Sequence, residues 1–557
     1  MIRSALMLAM LTLTTPASAE AARLDQYLHE LLGRVQHELA ADDFLSDTHR
    51  LDRQLVEAYL ALHHGKRTEA ANAFLAGLSL DRAPREWKPD EWDTADWNFT
   101  GIKALRLWLD FRDDPALSGA ASRHLRSFLA EFPQPRTRHN HDNDRRAVWP
   151  GIHTENHDLS LLTLGYFRAY LNGEDLASHE AHLARSLMWR MQMGWLEANS
   201  PTYQVRYAEP LGLLADHAPD PRIREGAEAL LNHILAERVL FLVDGVLVGP
   251  QHRTRKRPDQ PYKDEMNALT NVWFGSGTAD RRRAPTLHGY WLARSGFKPD
   301  PAVVALAASR RERDAPPIVY RGVRVRRGGE YTEFRYYVSP NVGLASTDHR
   351  GFTRQHRHHY ALLARSDGPP SGAWFHFKPP DGPSDPRFGV SDSVQWEDAM
   401  LVRGELQQTG DLEELSVAGW RVLATDRAAL AVMPLPQNWN FVVALGRVGS
   451  GDVLMERVAA IQAPRWSSEG VEWVSCSGQT IGFVFRPERP FHDVFIDGTR
   501  VIRPNGMLHD APVLKSWYGT GIVDVIPAGG PMARLTAEPL RELLLDAATG
   551  DASQPHP

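Results

Sequence analysis

The chain of 557 residues contains a single cysteine, Cys476. An intramolecular disulfide bond is therefore impossible, and the apolar stretch before Cys476 predicts a core residue rather than a nucleophile. The sequence also lacks any block of acidic or basic residues, and its net charge is −6. Because nucleic-acid-binding proteins concentrate basic residues on one face, this pattern argues against a nucleic acid partner.

Long apolar runs are also missing. The first one, Ala5–Leu13, is shorter than the roughly 20 residues that span a membrane. It follows Arg3 and precedes Ala17-Ser18-Ala19, a pattern that predicts a signal peptide over residues 1–19 and a mature chain that begins at Glu20. We expect an exported bacterial protein, periplasmic or secreted, because a disulfide-free chain suits those compartments better than a eukaryotic secretory route. An uncleaved anchor is the alternative.

Apolar residues recur at helical spacing from about residue 22 to residue 300. Leu51, Leu55, Tyr59 and Leu62 form one such face. Short connections suggest that the helices are paired, as in an α/α toroid or a solenoid, two folds that periodicity does not distinguish. Further helices are predicted over residues 102–113, 117–132, 179–198 and 223–235.

The pattern changes at Arg313–Pro317, which resembles a linker. Short β-rich runs follow, separated by glycine, proline and Asp-Gly pairs, and this spacing predicts an antiparallel β-sandwich. The predicted fold class is therefore multidomain α+β, with a helical domain over residues 20–311, a β-sandwich over 312–548 and a disordered tail over 549–557. The predicted strands include Ile318–Val325, Tyr331–Val338, Tyr360–Ala364, Leu430–Met433, Phe441–Leu445 and Ile481–Phe485.

The first of three polar stretches in the helical part runs from Trp149 to Asp158. Thr154 can cap the helix that follows, which places Glu155, Asn156 and His157 in its first turn. A helix N-terminus offers free backbone N–H groups and a partial positive charge, so an anionic group of a ligand is favoured there. A solvated capping segment is the alternative.

The second stretch runs from Gly194 to Tyr207, and its Ser200-Pro201 pair predicts a helix start. Tyr203 and Tyr207 lie four residues apart on one face of that helix. A tyrosine beside a cation or an amide can donate and accept a proton. The alternative is a pair of core tyrosines whose hydroxyl groups are satisfied.

The third stretch, Gly249–Arg257, holds His252, Arg253 and Arg255 in a predicted loop. A solvated charge run is the ordinary explanation of such a segment. Beside the other two stretches, it also suggests a carboxylate-binding role, because arginine pairs with carboxylates through two parallel hydrogen bonds.

Together these stretches resemble bacterial polysaccharide lyases of the α/α-toroid plus β-sandwich type, which include heparinase II/III-like and alginate- or glucuronan-lyase-like enzymes. The resemblance rests on T-E-N-H at 154–157, G-W-x-E-x-x-S-x-x-Y at 194–203, D-x-x-I-R-x-x-A at 220–227 and the loop at 249–257. It covers residues 148–257 by motif and the rest of the chain by architecture alone. It implies an incomplete helical barrel followed by the sandwich.

The resemblance also implies a reaction, the β-elimination of a uronic-acid polymer, for which no cofactor is required. In such an enzyme Asn156 and His157 would neutralise the substrate carboxylate, and His157 is also a candidate base. Tyr203 would be the acid, or acid and base together, with Tyr207 as the other candidate. Arg253 and Arg255 would hold carboxylates. The remaining predicted substrate-binding residues are Glu155, which could orient His157 or an arginine, together with Trp149 and His252.

A histidine-rich segment of the predicted sandwich runs from Asp348 to His359. His349 or His356 could reach the substrate cleft from the sandwich edge. His356 and His358 would face the same side of a strand and, with His376, could bind a structural metal, although the spacing matches no standard zinc pattern. A solvated basic strand is the third alternative.

Two other functions stay open at this point. A glycoside hydrolase on a similar toroid would need two carboxylates beside the scissile bond, and Glu155, Asp158, Glu197 and Asp216 are available. A non-catalytic polysaccharide-binding protein needs no acid or base. In each case the expected partner is an anionic polysaccharide or oligosaccharide, and the identity of the uronic acid, endo or exo action and the oligomeric state are not determined by the sequence.

Overall fold

A computed structural model describes most of the chain in blocks. The described residues are 39–46, 51–79, 97–132, 155–195, 199–200, 203–249, 266, 270, 273–274, 295–312, 314–325, 331–348, 359–368, 370–376, 393–409, 412–446, 451–485, 492–501 and 507–551. The predicted signal peptide and residues 552–557 of the predicted disordered tail lie outside these ranges. Among the described residues, no helix is long and apolar enough to cross a membrane.

The described residues of the amino-terminal half form helices and a short hairpin of β1 (Leu242–Val243) and β2 (Val246–Leu247). The helices are α1 (Leu51–His64), α2 (Thr68–Ala76), α3 (Trp97–Phe111), α4 (Gly119–Ala130), α5 (Glu155–Asn172), α6 (Ala177–Met193), α7 (Gln204–His217), α8 (Pro221–Leu240) and α9 (Pro301–Arg311).

These helices pack as consecutive pairs in two layers. Helices α1, α3, α5 and α7 contact one another in turn and form one layer, while α2 packs against α4 and α6 packs against α8 in the other. Their apolar residues form one buried core. The paired arrangement confirms the predicted helical domain, and the layer of α1, α3, α5 and α7 brings the functional candidates together.

The change from helix to strand comes between α9 and β3, where the sequence predicts a linker. A ten-stranded antiparallel sheet then carries the order β10-β7-β6-β5-β4-β3-β20-β21-β22-β23. Its strands are β3 (Ile318–Val325), β4 (Tyr331–Val338), β5 (Val342–Asp348), β6 (His359–Leu363), β7 (Ser371–His376), β10 (Glu405–Thr409), β20 (Met507–Ala511), β21 (Leu514–Trp517), β22 (Ile522–Val525) and β23 (Ala533–Thr536).

Two smaller antiparallel sheets complete the carboxy-terminal half, with the orders β11-β12-β13-β14-β9-β8 and β15-β16-β17-β18-β19. The first contains β8 (Ser393–Trp396), β9 (Ala399–Arg403), β11 (Glu413–Val417), β12 (Trp420–Ala424), β13 (Ala428–Leu435) and β14 (Trp439–Gly446). The second contains β15 (Arg465–Ser467), β16 (Gly470–Val474), β17 (Thr480–Val484), β18 (Asp493–Ile496) and β19 (Thr499–Arg500), and α10 (Gly451–Ala459) precedes it.

The three sheets are layered. One core lies between the ten-stranded and six-stranded sheets, with Leu344 and Leu430 from opposite sides. A second core lies between the six-stranded and five-stranded sheets, where Phe441 packs on Trp473. The other face of the ten-stranded sheet joins the helical core through Tyr320 and other apolar residues. The sandwich is therefore fixed against the helical domain by a shared apolar interior.

The chain ends with α11 (Glu538–Asp551), which packs back onto α6 and α8 of the helical domain. Gly226 of α8 permits this approach, because a β-carbon there would lie 2.5 Å from Leu540. Residues 549–551 of this helix fall within the segment for which the sequence predicts disorder.

The expectation that Cys476 fills the core is wrong, since the residue is exposed. It lies just after β16, whose alternating pattern buries Val471 and Trp473. The apolar residues before Cys476 thus belong to the strand, and the cysteine belongs to the turn that follows.

Candidate active site

The amino-terminal ends of α3, α5 and α7 meet at one side of the helical domain. Asn98 is the second residue of α3, Asn156 and His157 are in the first turn of α5, and Tyr203 immediately precedes α7. Contacts between side chains of these helix ends, given below, hold the three starts together. Free backbone N–H groups and a partial positive charge converge there, which favours an anionic ligand.

Asn98 fixes the imidazole of His157. The Oδ1 atom of Asn98 lies 3.1 Å from Nδ1 of His157, and both side chains are buried, with 0% and 7% of their surface exposed. A carbonyl oxygen accepts hydrogen bonds only, so Nδ1 of the neutral ring carries the proton. Nε2 is then the nitrogen with the lone pair, which is the form of histidine that can remove a proton.

Arg206 lies beside the same side chains, on the first turn of α7. Its guanidinium sits over the ring of Phe99, 4.8 Å from the ring centre, and the ring centre of His157 lies 4.7 Å from that of Phe99. Phe99 thus separates the cation from the imidazole while holding both. The Nη1 atom of Arg206 also lies 3.9 Å from Glu209, a distance too long for a hydrogen bond.

Two buried donors at this point have no hydrogen-bond acceptor among the residues that the structure describes. They are Nδ2 of Asn98 and Nη1 of Arg206. A buried N–H group without an acceptor costs about 1–3 kcal/mol, and more when it is charged. A ligand with carboxylate or hydroxyl oxygens would remove this cost. These donors are therefore suited to an anionic, oxygen-rich group.

A buried ion pair joins the start of α5 to the end of α6. Glu155, with 1% of its surface exposed, pairs with Arg190 near the end of α6. The guanidinium of Arg190 lies 5.4 Å from the ring centre of Trp195, and Trp195 stacks on Tyr207 at 4.5 Å. Glu155 therefore orients an arginine, one of the two roles that the sequence suggests for it.

The two predicted tyrosines have different surroundings. Tyr207 has 0% exposed surface and is covered by Trp195, which places it in the core. Tyr203 is 6% exposed, and its backbone N–H donates to Oγ of Ser200 over 3.1 Å. Ser200 thus holds Tyr203 immediately before α7, which begins at Gln204 and not directly after Ser200 as the Ser200-Pro201 pair predicts. Tyr203 lies three residues before Arg206.

The sandwich reaches this region through Tyr336 of β4. Nδ2 of Asn199 donates to the hydroxyl oxygen of Tyr336 over 2.6 Å, and Tyr336 stacks on Phe241 at 3.8 Å. Asn199 adopts φ 56°, a left-handed conformation that asparagine tolerates better than most residues. Burial raises the pKa of Tyr336 well above its ordinary value, so the phenol is neutral.

Several predicted site residues lie outside the described part of the chain, and their positions stay predictions. They are Trp149, His252, Arg253, Arg255, His349, His356 and His358. For His376, the structure describes the backbone, at the end of β7. Phe99 links His157 to Arg206, which lies three residues after Tyr203. The predicted convergence of residues 154–157 with Tyr203 and Arg253 stays a prediction.

Sequence reasoning missed Asn98, Arg190 and Arg206. Asn98 has no motif around it, and its only local sign is a polar residue between two aromatic ones, Trp97 and Phe99. Arg206 stands inside the second polar stretch, three residues after Tyr203. Helical spacing places it on the same side as Tyr203, and that relation could have identified it.

Comparison with known proteins gives matches at the level of structure. No protein-family model matches the chain, and no curated protein matches it. The X-ray structure of the Streptomyces coelicolor A3 chondroitin AC lyase in complex with chondroitin sulphate matches 92% of this chain and 91% of that chain, with 10% identity and a TM-score of 0.38.

Proposed function

We propose that the protein is a polysaccharide lyase that cleaves a uronic-acid-containing polymer, such as alginate, glucuronan or a glycosaminoglycan, by β-elimination. The observation that carries the proposal is the pair of buried donors, Nδ2 of Asn98 and Nη1 of Arg206, beside an imidazole whose Nδ1 is fixed. Such a group of residues can bind a carboxylate and hold a base next to it.

The first requirement of the reaction is to stabilise the negative charge that develops on the carboxylate. The proton on C5 of a uronate lies α to the carboxylate, and its removal places further charge on the carboxylate oxygens. Arg206 and the amides of Asn98 and Asn156, at the amino-terminal ends of the three helices, would stabilise this charge. Preorganised donors of this kind typically contribute about 10²–10³-fold each to the rate.

The second requirement is a base and an acid. Nε2 of His157 would take the C5 proton, the C4–O4 bond would break as a C4=C5 double bond forms, and the hydroxyl of Tyr203 would give its proton to the departing O4. The chemistry consumes no water and needs no cofactor. His157 and Tyr203 lie on adjacent helix starts, as this assignment needs.

Two of the carboxylates that a glycoside hydrolase could use are engaged in other contacts. Glu155 is buried in its ion pair with Arg190. Asp216 pairs with Arg106 at the far end of α7, 2.6 Å away, and accepts hydrogen bonds from Ser295 and Gly296. At about 1.5 Å per residue, Asp216 is roughly 20 Å along the helix from Tyr203. Neither carboxylate is placed to flank a bond held beside His157.

A panel of uronic-acid polymers tests the proposal directly. The full mature chain is mixed with alginate, glucuronan and glycosaminoglycans, and both near-ultraviolet absorbance and reducing ends are followed. β-Elimination produces a conjugated C4=C5 double bond, so absorbance should rise in step with reducing ends. Reducing ends without absorbance would show hydrolysis instead, and binding without either signal would show a non-catalytic protein.

Two variants then connect the activity to this pocket. His157→Ala and Tyr203→Phe should each lower turnover by about 10²–10⁴-fold, the usual range for loss of a general acid or base, while polymer binding is retained. Matched controls are His217→Ala, at the other end of α7, and Tyr170→Phe, whose side chain is 41% exposed. Equal losses in the variants and their controls would contradict the assignment.

A further inference from the structure

Three side chains of metal-ligating types meet where the helical domain contacts the sandwich. His233 and Glu237 lie one turn apart on α8, and His509 lies on β20. One ligand atom from each residue lies within 4.8 Å of the others, and all three side chains are buried. From this geometry we propose that His233, Glu237 and His509 bind a divalent transition metal ion, Zn²⁺, which links the two domains.

The two histidines face each other through the nitrogens that would bind the metal. Nε2 of His233 lies 2.6 Å from Nε2 of His509. Zinc bonds to histidine nitrogen are about 2.0–2.1 Å long, so two ligands of a tetrahedral ion lie roughly 3.3 Å apart. Small rotations of the two rings would open this space.

A second contact orients His509 as metal-bound histidines are normally oriented. Its other nitrogen, Nδ1, lies 2.7 Å from the hydroxyl of Tyr320 on β3. When Nδ1 donates to an oxygen, Nε2 is left as the metal-binding nitrogen. The strand itself assists, because the pairing of β20 with β21 shifts register between Met507 and His509. Such bulges commonly re-aim a side chain.

The buried Arg324 affects which metal ion the cluster favours. This buried guanidinium pairs with Glu237, which neutralises the carboxylate and opposes the approach of another cation. Most of the binding energy must then come from the two imidazole nitrogens. Zn²⁺ accepts nitrogen ligands readily, whereas Mg²⁺ and Ca²⁺ depend on oxygen ligands. The cluster is thus selective for a transition metal.

Metal analysis of the complete mature chain, with any affinity tag removed, tests this inference. The protein is loaded with Zn²⁺, dialysed and assayed by elemental analysis, and its thermal unfolding is followed with and without a chelator. We expect one Zn²⁺ per chain and a lower Tm after chelation, because the ion binds the folded state only. Failure to retain zinc, or a Tm that the chelator leaves unchanged, would overturn the proposal.

Variants locate the ion. His233→Gln and His509→Gln should lose the zinc and the chelator-dependent shift in Tm, while His217→Gln, which removes a histidine paired with Asp110, should keep both. A His356→Gln/His358→Gln double variant should also keep both, and loss of zinc there would move the site to the histidine-rich segment and contradict the proposal. If the His233→Gln and His509→Gln variants do not fold, X-ray absorption spectroscopy of the zinc-loaded wild-type protein tests the site instead. A spectrum that shows fewer than two imidazole ligands on the zinc would exclude this site.

Discussion

Asn98 and His157 are 59 positions apart in the chain, yet Oδ1 of Asn98 lies 3.1 Å from Nδ1 of His157. The contact joins the first turn of α3 to the first turn of α5. It selects the protonated nitrogen of the ring and, by doing so, determines which nitrogen can act as a base. The proposed chemistry depends on this relationship more than on any other.

Replacement of Asn98 should alter the pH dependence of the reaction as well as its rate. Asn98→Ala removes the acceptor that fixes Nδ1, so kcat/KM should fall by about 10²-fold or more. Asn98→Asp places a carboxylate beside the ring, which favours the imidazolium form and should move the acidic limb of the kcat/KM profile to higher pH. The measurement is the pH profile of each variant on the best polymer of the panel.

Asn172→Asp is the matched control for this prediction, because Asn172 ends α5 and its side chain donates to Glu174 at the surface. The control should leave the acidic limb in place. An Asn98→Asp profile that coincides with the wild-type profile would show that His157 is not the titrating base.

Replacement of Arg206 tests the carboxylate-binding role. Arg206→Gln removes the cation over Phe99, and loss of a buried charge partner of this kind should lower kcat/KM by about 30-fold or more. The salt dependence of KM for the polymer should also weaken, because fewer charges attract the substrate. Arg421→Gln removes an arginine that pairs with Glu414 on the sandwich surface and should change neither quantity.

The Glu155–Arg190 pair should matter for stability more than for chemistry. Glu155→Ala removes the carboxylate partner of a buried guanidinium and should lower the free energy of unfolding by about 3–5 kcal/mol. Replacing both partners, as in Glu155→Gln with Arg190→Met, should restore much of the loss, because no buried charge remains and the methionine still packs on Trp195. Urea unfolding at neutral pH measures the free energy of unfolding of the single and the double variant. A double variant less stable than Glu155→Ala would contradict this reasoning.

Asp398, between β8 and β9, should make the stability of the sandwich depend on pH. Burial, with the neighbouring Glu397, raises the pKa of Asp398 to about 6. The folded state therefore favours the protonated carboxyl. This stabilisation is fully present below the unfolded pKa, near 4, and is lost as the pH rises through about 6.

The corresponding variant is Asp398→Asn, which has no proton to lose. It should be more stable than the wild type at pH 7, by roughly 1–3 kcal/mol, and equally stable near pH 4. Urea midpoints across this range measure the difference. Asp113→Asn, at a side chain that is 90% exposed, should show no such crossover. A constant difference across the range would rule out titration of Asp398 as the cause.

Local sequence patterns were sufficient to predict many of the helices and strands. The predicted strands Ile318–Val325 and Tyr331–Val338 have the same bounds in the structure, and α5 begins at Glu155, directly after the predicted cap. Strand alternation, helical spacing and capping residues act over a few positions, so the sequence displays them directly. The division into helices and then antiparallel sheets follows from the same signals.

Contacts between distant segments were decided only by the tertiary structure. Asn98 reaches His157, Glu155 reaches Arg190, and the α8 histidine meets His509 across 276 positions. No short-range pattern encodes such pairs, because they depend on how helices stack and how the sheet lies against them. The sequence by itself determined which segments are helices and strands and which stretch is rich in polar groups. Packing alone determined which amide fixes the imidazole, because that requires two helix starts to meet.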